Sequence, residues 1–249
     1  MEKINVLDQG YVRLVDHMGS DLSVVNAARC SYAKESTQLG TGDVKLLNFL
    51  AREGHWSPFR HATLQFELYA PLMVARQWFK YRVGSAHSGD SLEYPINNGD
   101  DDGFGDSLHA RNEASRRYIT MEPTWYKPTK WRTAPANSKQ GSGLDASDEL
   151  GLEASARLEA QLVKGLEDYE WALAQGLAPE QARLLLPAAY GMYTAWYWTT
   201  SLQGVAYFLT QRLGHDAQWE IQQYAKAVHE LVKPHFPHAL EALGLKIDS

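Results

Sequence analysis

Only one cysteine, Cys30, occurs in 249 residues, and a lone thiol can close no disulfide within the chain. That excludes the disulfide-stapled secreted scaffolds and suits a cytoplasmic setting. Long hydrophobic runs are also missing: nowhere do about 18 apolar residues follow one another, so no transmembrane helix is expected. The opening Met1-Glu2-Lys3-Ile4-Asn5 lacks the basic-then-apolar pattern of a secretory signal. Nor is there an excess of positive charge. With 24 Lys and Arg against 30 Asp and Glu, the net charge is −6, whereas a general nucleic-acid binder leaves a basic footprint. A local basic pocket for one nucleotide remains compatible with that balance.

What is present is a packed globular composition, with 44% hydrophobic and 11% aromatic residues. Residues 11–17 read as a strand, and Asp21 is placed to N-cap a short helix through Val24, Val25 and Ala28. Val44, Leu47, Leu50 and Ala51 fall at helical spacing, with Gly54 where a helix C′ glycine belongs. From His61 to Ala70 the chain alternates, Leu64, Phe66, Leu68 and Ala70 on one face, which is a half-buried strand. Pro71 suits the first turn of a helix carrying Leu72, Ala75, Trp78 and Phe79, with Gln77 and Lys80 off that stripe. Leu158, Leu162, Leu166, Tyr169 and Leu173 form another helical stripe, closed by Gly176, and Pro179 opens a helix through Leu184, Leu185 and Leu186. A last long helix runs from about Asp216 with Ile221, Tyr224, Ala225, Val228, Leu231 and Val232 on one face. No repeat or sharp boundary appears. The expectation is α+β, an antiparallel sheet packed with long helices, in a single catalytic domain over 1–249. A turn-rich loop insertion at about 86–110 and a polar connector at about 133–147 interrupt it.

The polar residues gather unevenly. Arg76-Gln77-Trp78-Phe79-Lys80-Tyr81-Arg82-Val83-Gly84-Ser85 is resumed as Arg111-Asn112-Glu113-Ala114-Ser115-Arg116-Arg117-Tyr118. Such a set can grip an anionic, planar ligand but carries no evident nucleophile, so the chemistry would come from a cofactor. Lys80, Arg82, Arg116 and Arg117 fit phosphate; a solvated basic face is the commoner meaning of such charge. His55 and His61 flank a proline turn, and without a third ligand at metal spacing they read as packed histidines. His215-Asp216 reads as a helix cap more than a proton relay, Asp100 to Asp106 as an acidic loop lacking the spacing of a calcium loop, and Cys30 as a small buried side chain.

These pieces, in this order, resemble the flavin-dependent thymidylate synthases. That family's signature, Arg-His-Arg-x-x-Ser followed by Asn-Glu-x-Ser-x-Arg-Tyr, is matched by Lys80-Tyr81-Arg82-Val83-Gly84-Ser85 and by Asn112 to Tyr118. About 25 residues separate the two halves. Ala27-Ala28-Arg29-x-Ser31, Gly54-His55-x-Ser57-Pro58-Phe59, Ala75-Arg76-Gln77-Trp78-Phe79, Leu186-Pro187 after Arg183, and Arg212-x-x-His215-x-Ala217-Gln218-Trp219-Glu220-Ile221-Gln222-x-Tyr224 extend the likeness from about Ala27 to about Tyr224.

The resemblance implies a methyltransferase. A reduced flavin, FAD, would carry a one-carbon unit from methylenetetrahydrofolate to C5 of dUMP and deliver hydride, giving dTMP, with NADPH reducing the flavin. No enzyme cysteine attacks the ring in that family, which agrees with the unremarkable Cys30. Gln77, Lys80, Glu113, Ser115, Arg117, Arg183 and Arg212 would bind the nucleotide, and Arg212 would be catalytic, stabilising negative charge that develops on the pyrimidine. Ser31, His55, Ser57, Lys80, Tyr81, Arg82, Glu113, Ser201, Gln203 and Tyr207 would face the flavin, and no metal is expected. Family members are homotetramers with shared sites; neither a nucleic-acid polymer nor a membrane is an expected partner.

The departures are equally specific. Lys80-Tyr81 replaces the family's Arg-His, which keeps one charge, loses a bidentate fork and loses a cation. Ser201, Gln203 and Tyr207 stand where the family often places Asn and Arg, and the family's Ser-His is shifted to His215-Asp216. These changes leave dCMP as acceptor, a hydroxymethyl product, or a non-catalytic nucleotide-binding scaffold as alternatives to dUMP methylation.

Overall fold

The computed structural model describes residues 2–81, 110–113, 123–136, 141–186 and 190–245. Five antiparallel strands form one sheet in the order β1-β2-β3-β5-β4, where β1 is Lys3–Val6, β2 Gly10–Met18, β3 Thr63–Pro71, β4 Ala110–Glu113 and β5 Tyr193–Ser201. The alternation read in β3 is the one observed: Leu64, Phe66, Leu68 and Ala70 are fully buried. Their neighbours on β5 are Trp196 and Trp198, and Phe66 pairs with Trp198 with ring centroids 5.5 Å apart. The opposite face is polar. There Arg13 on β2 forms an ion pair with Glu67 on β3, which also accepts from the Tyr11 hydroxyl at 2.5 Å.

Helices α1 (Asp21–Arg29), α2 (Thr41–Arg52), α3 (Leu72–Trp78), α6 (Leu202–Arg212), α7 (Trp219–Val232) and α8 (Pro237–Ala242) contribute to the same core as the apolar face of the sheet. Alpha-7 is pinned through Tyr224, whose hydroxyl donates to the Tyr69 carbonyl at 2.9 Å. Gly10 lies directly beneath that hydroxyl, and a Cβ there would collide with it. A smaller cluster, with Trp125, Leu162, Tyr169, Ala172, Ala182 and Leu186, seats α4 (Asp148–Ala174) against α5 (Pro179–Ala182) and the 3-10 turn Arg183–Leu185.

Several expectations change. Ser20 holds the N-cap position of α1, and Asp21 is the first helical residue. Asp21 is buried and accepts from the backbone N–H groups of His238 and Ala239, both at 2.9 Å, so it caps α8 across the fold. Pro71 ends β3 and precedes α3, which starts at Leu72. Alpha-7 starts at Trp219 with Gln218 at its N-cap position, so Asp216 is not the cap. Cys30 is exposed. Gly54 and Gly176 do take the left-handed conformation that ends helices, φ +68° and +80°. The 86–110 insertion lies outside the described residues, except that Ala110 opens β4. In the connector, Arg132 bridges to Asp145, folding the described part back on itself.

Trp78 positions the site. Its ring stacks on Phe208 of α6 at 4.1 Å and meets Trp196 and Trp198 edge-on at 5.7 and 5.4 Å. That aromatic knot locks the end of α3 against α6 and β5, and the residues that follow, Phe79, Lys80 and Tyr81, emerge beside the C-terminus of α6.

Candidate functional site

Arg212 is the last residue of α6, and its guanidinium lies 5.2 Å from the centroid of the Tyr81 ring. Such an interaction contributes about 0.5–2 kcal/mol. Tyr81 is itself wedged between Tyr207 at 5.8 Å and Phe208 at 5.2 Å. Burial pushes the Tyr81 phenol above its ordinary value, with the Arg212 charge pulling the other way, so the ring stays a neutral platform. The Nε of Arg212 is buried and has no hydrogen-bond partner among the described residues. A buried donor left unmade costs about 1–3 kcal/mol, more when charged. A ligand oxygen bound at the guanidinium would offset that cost.

A second constellation joins α3 to the start of α7. Gln77 Nε2 donates to the Gln218 side-chain oxygen and to the Met73 carbonyl, the latter at 3.2 Å. Gln218 Nε2 donates in turn to Glu220 at 2.9 Å. Glu220 is buried, paired with Arg132 from the connector side, and within 3.4 Å of the Tyr126 hydroxyl. Burial and the Glu220 charge push the Tyr126 phenol well up, so it remains a donor. Arg132 also lies over the Trp219 ring at 4.6 Å. Sequence reasoning missed Gln218, Glu220, Arg132 and Tyr126 as functional support. The string Ala217-Gln218-Trp219-Glu220 carried no local signal of it, because a Glu in a helix first turn is ordinarily satisfied by the helix N-terminus and solvent.

The remaining predicted residues divide. Ser31, His55 and Ser57 are exposed; Ser57 opens the 3-10 turn Ser57–His61 that packs on α1, and His55 faces the Phe49 ring at 5.8 Å. Their side chains make no hydrogen bond among the described residues; the backbone N–H of His55 donates to the Leu50 carbonyl at 2.9 Å. Lys80 is exposed beside Tyr81. Glu113 accepts from Thr194 at 3.0 Å, at the far end of β4. Arg183 is exposed and donates to the Glu180 carbonyl at 3.0 Å, with no contact to the Arg212 group.

Ser201 and Gln203 are fully or almost fully buried: the Ser201 hydroxyl caps α6 through Gly204 N–H at 3.2 Å, and Gln203 accepts from Arg60 at 3.2 Å. Both therefore have structural work in the fold. Tyr81 and Tyr207 likewise serve as packing beneath Arg212. Arg82, Ser115 and Arg117 lie outside the described residues. Among the described residues no cluster of three His, Cys, Asp or Glu side chains could hold a metal, and no helix is long and apolar enough to cross a membrane.

The chain matches the family model described as Thymidylate synthase complementing protein over residues 13–238. It is 37% identical over 239 residues to a flavin-dependent thymidylate synthase of Thermus thermophilus, covering 96% of this chain and 77% of that protein. It is 35% identical over 240 residues to one of Kosmotoga olearia, covering 96% and 92%. Its fold matches the crystal structure of a UMP/dUMP methylase, PolB, from Streptomyces cacaoi bound with 5-Br dUMP, with a TM-score of 0.76, 24% identity and 97% of both chains covered.

Proposed function

The chain belongs to the flavin-dependent thymidylate synthase family, and we propose that it transfers a one-carbon unit from methylenetetrahydrofolate to C5 of dUMP, giving dTMP. The observation that carries this reading is Arg212, held on the Tyr81 face with a buried Nε that has no partner among the described residues. A guanidinium kept in that state is preorganised for charge that develops on a pyrimidine carbonyl, and fixed donors of this kind cost no reorganisation during reaction. Gln77, with Lys80, Glu113, Ser115, Arg117 and Arg183, completes the nucleotide set. Ser31, His55 and Ser57, with Arg82, are the residues that would hold the flavin. When bound, that group supplies the one-carbon carrier and the hydride, and NADPH supplies its electrons.

Assembly belongs to the same proposal. Trp171 on α4 is 58% exposed and Leu184 81%, apolar surface that a subunit contact would cover. Second copies of the chain, four in all, would cover them, and Arg183 beside Leu184 would then serve a neighbouring site. Leu184→Asp with Trp171→Asp should lower the mass measured by light scattering; an unchanged mass counts against this interface.

The reaction is tested anaerobically with purified protein, FAD, methylenetetrahydrofolate and NADPH, adding dUMP or dCMP and identifying the nucleotide product by mass spectrometry. A methyl gain on dUMP supports the proposal. Product from dCMP alone, or a hydroxymethyl product, relocates the function within the same chemistry. No product and no retained flavin would leave a nucleotide-binding scaffold.

A further inference from the structure

The orientation of the Gln77 amide is dictated by groups behind it. Glu220 is 4% exposed, and an ionised carboxylate only accepts hydrogen bonds. It must therefore face the amide nitrogen of Gln218, as it does at 2.9 Å, while the same nitrogen also approaches the Met73 sulfur at 3.5 Å. Gln218 is left to accept through Oε1, and the donor it takes is Gln77 Nε2. The Met73 carbonyl, 3.2 Å away, also draws on Gln77 Nε2. Both hydrogens of the Gln77 amide are thus turned into the protein, and among the described residues nothing donates to its Oε1. Arg132 and Tyr126 hold the other side of Glu220, which keeps the carboxylate in place at the head of the relay.

We propose that Glu220 is a positioning residue which, through Gln218, makes Gln77 a hydrogen-bond acceptor toward the nucleotide. The inference rests on the nucleotide reading above and deepens it. An Oε1 left free to accept is matched to a donor, either the imide N3–H of uracil or the sugar 3′-hydroxyl, and is mismatched to phosphate oxygens, which accept. If the donor is N3–H, the same acceptor disfavours cytosine, whose N3 carries no hydrogen.

The test is calorimetric binding of three ligands to the flavin-loaded protein: dUMP, N3-methyl-dUMP and 2′,3′-dideoxyuridine monophosphate. In the unaltered protein the analogue missing the read donor should bind more weakly than dUMP by at least the worth of a neutral hydrogen bond, roughly 2- to 10-fold. Glu220→Gln removes the fixed polarity, since an amide can face Gln218 with either end. Gln218→Met breaks the relay while leaving the Glu220–Arg132 pair untouched and preserving side-chain length. In both variants the penalty on that one analogue should shrink by about the same factor. Which analogue responds tells the base from the sugar. A merely structural role would weaken all three ligands together and leave their ratios as they were, and that result overturns the proposal. So does an unaltered protein that penalises neither analogue. If dUMP itself fails to bind the unaltered protein, the nucleotide reading falls and this inference with it, a result distinct from the other two.

Discussion

Replacing Arg212 with Ala should weaken nucleotide binding and abolish turnover while leaving the empty fold nearly as stable as before. Two terms oppose each other in the absence of nucleotide. The guanidinium over Tyr81 contributes about 0.5–2 kcal/mol. The buried Nε, without a partner among the described residues, costs about 1–3 kcal/mol. Their sum lies near zero, and for a chain of this size 1 kcal/mol moves the melting temperature by about 2–4 °C, so the variant should melt within a few degrees of its parent. Nucleotide separates them. At a dUMP concentration of about 100 times Kd the parent gains about 2.7 kcal/mol, a rise of roughly 5–11 °C. Loss of a charge-assisted hydrogen bond of about 1.5–3 kcal/mol weakens binding roughly 10- to 150-fold, which shrinks that rise to a few degrees or less at the same concentration. Thermal melts with and without dUMP, paired with the turnover assay, read both effects. A variant that melts far below its parent when empty would show Arg212 to be a structural residue. One that keeps the full nucleotide shift, or near-normal turnover, would remove it from the site.

Trp78→Ala should cost about 3–5 kcal/mol in urea denaturation, because it empties a fully packed aromatic knot; a cost below about 1 kcal/mol would mean that α3 is anchored by something else. The His17 and His235 rings lie 3.9 Å apart, and burial, then the His17 charge, holds the His235 imidazole below its usual value of 6.5, against the opposite pull of Glu2. A base depressed in the folded state contributes stability above its unfolded pKa and loses it as pH falls through the folded value. Stability should therefore drop between about pH 7 and 5, and His17→Gln should flatten that slope; an unchanged slope refutes the pairing.

Much of the fold was legible because single elements carried their own period. Beta-3 alternates cleanly, and α4 and α7 carry stripes at three- and four-residue spacing, so local pattern and burial agree. Beta-5 escaped notice although Tyr193 to Ser201 is almost wholly aromatic and β-branched, the composition of a strand. Trp196 and Trp198 lie on its buried face and Tyr193 and Tyr197 on the other, so aromatic residues on both faces hide the alternation that burial shows. Asp21 shows the opposite failure. A short acidic residue before a helix reads as that helix's cap, but its carboxylate caps α8, more than 200 residues away, and no local window contains that partner. For the site, sequence order identified Gln77 and Arg212 but could not reveal what supports them, since Glu220, Arg132 and Tyr126 meet only through the fold.

The same limit explains the departure at Tyr81. By sequence, exchanging a histidine for a tyrosine inside the signature reads as a lost cation at the flavin. In the structure the side chain is 7% exposed and faces Tyr207, Phe208 and Arg212. A protonated imidazole in that apolar setting would stand beside a guanidinium of like charge and carry a desolvation cost. A phenol kept neutral by burial carries neither, and its ring attracts the guanidinium. The tyrosine therefore suits the mounting of Arg212, so the departure at this position does not by itself argue against the role proposed for Arg212.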